Sequence, residues 1–556
     1  MIDPTDWKPA DGLILEPNAL NAATERERCL ALTAGPGAGK TEMLAQRADF
    51  LLRTGTCRYP YRILAISFKV DASRNLKDRV RRRCGPELAA RFDSYTFHAF
   101  AKRIIDRFRP VLTGLDALDP DYTIGTRKVT RRQIEFGDLI PLAIDILNTS
   151  RVARNAVRKS YTDVFLDEFQ DCTDRQYELV RLAFQGTSVR LTAVGDTKQR
   201  IMAWAGALEG VFSTFAADFN AVPLNLYLNF RSQPQLLRMQ NAIIRVMDPA
   251  SVMPDENIVG DDGEIYAWRF NTSQDEAVYL ADQIVRWIRD EGVPHSEIAI
   301  LVSKQLDLYA DLLMKELYQR GIPYRNEQQL QDISVEPVAR LIADYLLCLY
   351  GTREPEAWLR LMDQLIPFED EDYQGDLRHD WQRFIKAQRK EAEIFDLIDD
   401  RWPGAWTFVE KFLEKVGTSD LTALHPDYES ASRLKEVIHN IRSRIDELLK
   451  IDHDLLHALA RFSEDHAVRI LTIHKSKGLE FDTVVILGVE NEAFWGNEAE
   501  ERCAFFVGVS RAKRRLLLTH ADQRTRPPDW TKRWDIVRHP QSEYFGYATP
   551  FLSGGT

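Results

Sequence analysis

The sequence predicts an α/β fold with two parallel sheets, one in each half of the 556-residue chain. Three observations carry that reading. Short apolar runs stand at 29–33, 63–68, 164–166 and 191–194 in the first half, and at 298–302, 468–473, 484–489 and 516–519 in the second. The runs are continuous rather than alternating, and helical periodicity separates them, as in strands covered on both faces by crossover helices. A glycine-rich turn, "AGPGAGKT" at 34–41, then joins the first run to a helix with Met43, Leu44, Ala48, Leu51 and Leu52 on one stripe.

Composition narrows the class. The length allows about three or four domains, and 44% apolar residues are enough to fill real cores. The cysteines (Cys29, Cys57, Cys84, Cys172, Cys348, Cys503) are scattered without metal-ligand or disulfide spacing. A net charge of −11 excludes a generally basic nucleic-acid coat but leaves room for a local basic channel. The N-terminal "MIDPTDWKPADG" lacks a charged-then-apolar leader. No apolar run approaches the roughly 20 residues that span a bilayer. A soluble, cytoplasmic protein with no membrane partner is expected.

In parallel sheets ligands gather at the carboxyl ends of the strands, so the residues just past each run are the ones to weigh for chemistry. After the first run, Ala34, Gly35, Pro36, Gly37, Ala38 and Gly39 form a turn whose N–H groups can face a phosphate chain. Lys40 reaches the terminal phosphates and the Thr41 hydroxyl suits Mg²⁺. Ala34 stands where the strict pattern has glycine, and Pro36 removes one N–H. After 164–166 comes "DEFQD": Asp167 is suited to hold the metal's water shell and Glu168 to orient and deprotonate an attacking water. After 191–194 comes "GDTKQRIMAWAGA", where Asp196 and Gln199 can sense a γ-phosphate and Trp204 offers a flat face.

Together these segments resemble the superfamily 1A helicases of the UvrD, Rep and PcrA type, with motif variants like those of the RecB and AddA motors. The similarity runs in order through "AGPGAGKT", "ILAISFKVDASRNLKDRV" (63–80), "YTFHAFAKRI" (95–104), "VFLDEFQDCTDRQ" (164–176), "VGDTKQRIMAWAGA" (194–207), "NFRS" (229–232), "ILTIHKSKGLEFDTVVI" (470–486) and "FFVGVSRAKRRLLLT" (505–519). The resemblance implies ATP and Mg²⁺ as cofactors, single-stranded and tailed duplex DNA as partners, and two RecA-like motor domains, each with a helical insertion. The expected divisions are 1–100 and 159–224 for the first motor domain around an insertion at 101–158, and 225–345 and 465–556 for the second around an insertion at 346–464.

It also implies roles. Arg231 and Arg511 reach the γ-phosphate from the second half, and Gln199 couples that phosphate to the DNA groove. Phe230 stacks on adenine and Glu480 contacts the ribose. Phe68, His98, Trp204 and His474 lie in the segments used for single-stranded DNA, and stacking on such rings reads no sequence. Lys69, Lys77, Arg79, Lys475 and Lys477 are offered to phosphates, and "RVRRR" (79–83) is equally well a solvated helix face.

The chain departs from the family in several places. No adenine-reading Gln stands in 15–26, Ala205 follows Trp204, and Thr197 and Lys198 replace an acidic pair. The first insertion is short. The second is compact and helical, with Leu434, Val437, Ile438, Ile441, Ile445 and Leu448 on one face and an acidic run at 369–372. The expected function is an ATP-dependent 3′-to-5′ translocase or helicase serving DNA repair or antiphage defence. The alternative is a nucleotide- and DNA-sensing ATPase subunit that regulates a partner nuclease.

Overall fold

The computed structural model describes residues 2–553 apart from 69, 126, 200–209, 327–335, 353, 367–370, 396–400, 425–427, 429–430, 452–453, 464–466, 527–529 and 531–533. Trp204 and Ala205 therefore lie outside the described residues, as do Lys69 and the side chains of the acidic run 369–372.

The first half contains β1 (Leu30–Ala34), β2 (Arg62–Ser67), β3 (Phe92–Thr96), β4 (Leu118–Ile124), β5 (Arg131–Ile134), β6 (Tyr161–Leu166), β7 (Arg190–Gly195) and β8 (Val222–Leu226). Six of these form a parallel sheet in the order β3-β2-β6-β7-β1-β8, while β4 and β5 make a separate two-stranded ribbon. The second half contributes β9 (Glu264–Thr272), β10 (Ile298–Val302), β11 (Tyr324–Asn326), β12 (Val468–Thr472), β13 (Phe481–Ile486) and β14 (Ala512–Gln523). They form a second parallel sheet in the order β11-β12-β10-β13-β14-β9.

The continuous apolar runs have a simple cause. Successive side chains of a strand point to opposite faces, and both faces of the first sheet are buried. Leu64, Ile66, Val164, Leu166 and Ala193 enter one core, whereas Leu32, Ile63, Ala65, Phe165 and Val194 enter another. Edge strands read differently. β8 pairs only with β1 and carries Pro223, a residue without an N–H that a central strand tolerates poorly.

The two insertions are built differently. Between β3 and β6 run helices Phe97–Phe108, Leu139–Thr149 and Arg151–Ser160, with the β4–β5 ribbon among them. This insertion is thus not purely helical. Leu118, Tyr122, Ile124 and Ile134 of the ribbon point inward, a pattern too short to stand out in the sequence. Phe100, Ile104, Leu142 and Ile146 of its helices share one core with the first sheet. The second insertion is helical and has a core of its own from Val338 to Phe462, in which Tyr345 stacks on Phe412 at 4.1 Å. That core opens on helix Pro337–Tyr350, ahead of the boundary expected at Leu346. Leu434, Val437, Ile441, Ile445 and Leu448 of helix Ala431–Ile451 line it as their spacing requires, with Ile438 partly buried beside them.

Candidate active site

Because the strands of each sheet are parallel, their carboxyl ends share one edge, and the site residues of the first half come after β1, β6 and β7. The turn after β1 gives way to helix Lys40–Arg53, with Gly39 at its N-cap in the left-handed region (φ 73°) and Gly37 there too (φ 71°). Gly37 is required for a second reason. A Cβ on it would stand 2.3 Å from Asn229 Oδ1 and 2.6 Å from the Arg231 Cβ. The backbone N–H of Phe230 donates to Gly37 O at 2.9 Å, so the "NFRS" segment lies directly on the loop. Phe230 itself is 68% exposed, its ring 3.9 Å from where a Cβ on Gly39 would sit. Lys40 Nζ donates to Ala34 O at 3.4 Å, and Thr41 opens the helix, whose N-terminus favours anions.

Asp167 and Glu168 come after β6. Asp167 is buried, and its carboxyl is pushed up by burial and by the Glu168 charge, with Lys40 opposing. Burial also acts to raise Glu168, but Lys40, Lys477, Gln170 and Arg511 outweigh it and hold that carboxylate ionised, well below its ordinary range. Glu168 adopts φ 51°, left-handed for a residue with a Cβ, a strain commonly found at functional sites. Its carboxylate accepts Gln170 Nε2 at 2.6 Å, and Gln170 Oε1 accepts the Asp196 N–H at 2.9 Å, tying the end of β6 to the end of β7.

This donor set fits a hydrated divalent cation. Asp167 is a buried carboxyl whose charge such an ion would relieve, and the Thr41 hydroxyl is an oxygen ligand. Among the described residues no group of three or more His, Cys, Asp or Glu is placed to hold a metal ion. A full shell would need phosphate oxygens and water, as Mg²⁺ prefers.

The second half closes over these groups. Arg511, 1% exposed, donates through Nε to Val507 O (2.9 Å), through Nη1 to Leu479 O (3.1 Å), and through Nη2 to Ser510 Oγ (2.8 Å) and Gln199 Oε1 (3.0 Å). Every one of these acceptors is neutral. Burial lowers the Arg511 guanidinium to about 9, helped by the like charge of Arg231, while Glu168, Asp196 and Glu480 oppose. Gln199 is buried and donates to Asp196 at 2.9 Å, so it bridges Asp196 and Arg511 across the cleft. Arg231 pairs with Glu480 at 2.8 Å and donates to Ser510 O at 3.1 Å.

Lys477, expected on a DNA phosphate, is instead buried in this interface. It donates to both oxygens of Asp171 (2.9 and 2.6 Å) and to Gln199 O (2.9 Å). Other cations offered to phosphate are also engaged: Lys77 pairs with Asp363 (3.3 Å), Arg79 with Glu42 (3.1 Å), and Arg83 with Glu42 and Asp11. Two of the four arginines of the "RVRRR" cluster, Arg79 and Arg83, are thus paired within the fold.

The aromatic candidates sit past the strand ends. Phe68 stands after β2 and packs on Phe97 at 5.1 Å. His98 opens the helix after β3 and lies 4.2 Å from Phe136, with burial lowering its imidazole to about 4. His474 stands after β12, half-buried, its imidazole lowered by burial and by Lys304 and Lys477.

Sequence reasoning passed over Gln170, although it stands inside "DEFQD". It also passed over Asn229, whose Oδ1 accepts the N–H groups of Arg231 and Ser232. Both act through neighbours, and an amide side chain carries no charge pattern to flag it.

Two parallel-sheet domains that close a phosphate loop, an acidic pair and a buried arginine between them define a P-loop nucleotide hydrolase. Residues 15–124 and 120–220 match the family described as UvrD/REP helicase N-terminal domain, and 224–401 and 382–523 match UvrD-like helicase C-terminal domain. The chain belongs to the UvrD/Rep helicase family, whose two motor domains are RecA-like. Similar proteins include the ATP-dependent DNA helicase PcrA of Leuconostoc citreum, 24% identical over 90% of this chain and 81% of that protein. DNA helicase II of Escherichia coli K12 is 23% identical over 90% of this chain and 83% of its own length. Among the described residues no helix is long and apolar enough to cross a membrane.

Proposed function

We propose that this chain is an ATP-driven motor on single-stranded DNA, one that moves 3′-to-5′ and opens 3′-tailed duplexes. The observation that carries the reading is Arg511: a buried guanidinium bonded only to neutral acceptors, at the junction of the two halves and within reach of the Glu168 charge. A cation held this way is matched to negative charge that arrives with a ligand.

In this reading the loop at 34–41 and Lys40 hold the phosphates of ATP. Thr41 and Asp167 would hold Mg²⁺, which would supply positive charge to offset that of the phosphates. Glu168 orients the attacking water and takes its proton. Arg511 and Arg231 stabilise the phosphoryl group in flight, a contribution of about 10³–10⁵ in rate for such arginines. Once Arg231 turns to phosphate, Glu480 is released to the ribose, and Phe230 stacks on the base. Gln199, bonded to Arg511 and in the same segment as Trp204, links hydrolysis to the DNA path past Phe68, His98 and His474. The direction is that of the family the chain resembles.

The test is the ATPase rate with and without DNA. Single-stranded DNA of any sequence should raise it, and affinity should fall by roughly 0.7 log units per log unit of salt for each phosphate neutralised. Stimulation by RNA alone, with none by DNA, would overturn the substrate assignment.

A further inference from the structure

Of the exposed aromatic side chains, one stands where three strand ends converge. β12, β10 and β13 are adjacent and parallel in the second sheet, so the residues after them share one edge. His474 comes after β12, Lys304 after β10, and the loop carrying Trp495 after β13. The neighbouring Phe494 is buried against Phe505 (6.1 Å) and Tyr544 (5.2 Å) and anchors the loop. Trp495 points the other way and is 57% exposed.

Its position is held by more than the loop. Lys304 Nζ lies 4.1 Å from the indole centroid, and the same ammonium donates to the Trp495 carbonyl and pairs with Glu501. Gly496 is next in the chain at φ 138°, where a Cβ would come within 3.1 Å of Glu501 Oε1. A residue with a side chain there would push the loop off the Lys304–Glu501 pair. The indole is thus fixed outward, although burying it would gain hydrophobic free energy.

We propose that Trp495 is a stacking platform for one base of single-stranded DNA, oriented by Lys304 at the carboxyl edge of the second sheet. The proposal rests on the single-stranded DNA reading above and adds a contact on the second motor half. The chemistry favours a base over a phosphate. Glu498 and Glu500 are exposed just beyond the loop and repel the backbone, whereas a π-face accepts any base. Lys304 is a positioning residue, since its ammonium is already committed to the indole and Glu501.

The experiment measures anisotropy of labelled poly-dT of about 20 nucleotides and of an abasic strand of equal length, with DNA-free ATPase as the check on folding. Trp495→Ala should weaken poly-dT binding roughly 5- to 150-fold, while leaving abasic binding and DNA-free ATPase unchanged. Trp495→Phe, which keeps a ring, should retain most of the affinity. Lys304→Met should lose part of it on poly-dT only, and Lys304→Arg should restore it. Wild-type affinity of Trp495→Ala for poly-dT, or an equal loss on abasic DNA, would overturn the proposal and leave the motor reading standing. Failure of the wild-type protein to bind either strand would overturn both.

Discussion

Glu168 is held between opposing demands: a left-handed backbone that costs free energy and a carboxylate kept ionised by Lys40, Lys477 and Arg511. A general base must be ionised before it can take a proton. Glu168→Gln should therefore keep ATP and DNA binding yet turn over at least ~10²-fold slower, as steady-state ATPase alongside nucleotide binding would report; turnover at the wild-type rate would remove Glu168 from this role. His98 makes a different prediction. Burial holds its imidazole at about 4 against an ordinary value of 6.5, so the folded state favours the neutral ring. The unfolded chain takes up the proton first as pH falls, and the stability from the neutral ring, full above about 6.5, is lost toward pH 4. Thermal melts of His98→Gln should show a flatter slope in that window, and an unchanged slope would count against the assignment. The acidic pair could be read because it follows an apolar run and stands downstream of a phosphate loop, where a lone solvated pair would carry no such context. Gln170 and Asn229 could not, because their work is to hold other groups.

At the scale of the element, strand, turn and helix around residues 30–53 act as one device. Gly37→Ala would force a Cβ into the left-handed region, at roughly 1–2 kcal/mol, and into Asn229 and Arg231 as well. Melting should drop by at least that strain, and the stabilisation on adding ATP should weaken about tenfold or more in affinity; wild-type ATP stabilisation in this variant would contradict the close approach of the "NFRS" segment. The same scale explains what the sequence could disclose of the fold. β1, β2, β6, β7, β10, β12, β13 and β14 lie inside their sheets and are mostly buried, so apolar stretches such as Ile63–Ile66, Val164–Leu166 and Leu516–Leu518 stand out. The edge strands carry polar residues or proline: β3 reads "FDSYT" and β8 "VPLNL". Half-solvated strands need no continuous apolar run, and without one they resemble loops. The cross-cleft position of Lys477 was hidden for a related reason. A lysine near a strand end looks alike whether its partner is a phosphate or an aspartate from the other half.

At the scale of the whole molecule, the motor halves touch through Lys477, Gln199 and Arg511, whereas the second insertion meets the first half through helix Thr418–Ala423, which packs on β4, and through two ion pairs. Lys77–Asp363 spans 3.3 Å and Lys102–Asp420 3.7 Å. Such pairs contribute about 0–1 kcal/mol each, so they add little to the hold of the insertion on the first half. Each base-pair step opposes unwinding by roughly 1.4 kcal/mol of stacking. The protein alone should translocate but unwind only short 3′-tailed duplexes, which gel assays with duplexes of increasing length would reveal; processive opening of long duplexes by a monomer would refute this. The separate core of the second insertion has a further consequence, in terms of descent. Because residues 338–462 pack mainly on one another, that block can be enlarged, trimmed or exchanged for another without exposing either sheet. The first insertion has no such licence, since Phe100, Ile104, Leu142 and Ile146 form part of the wall against which β2 and β6 are built. Variation among relatives, and grafts made at the bench, should therefore collect in the second block and spare the first.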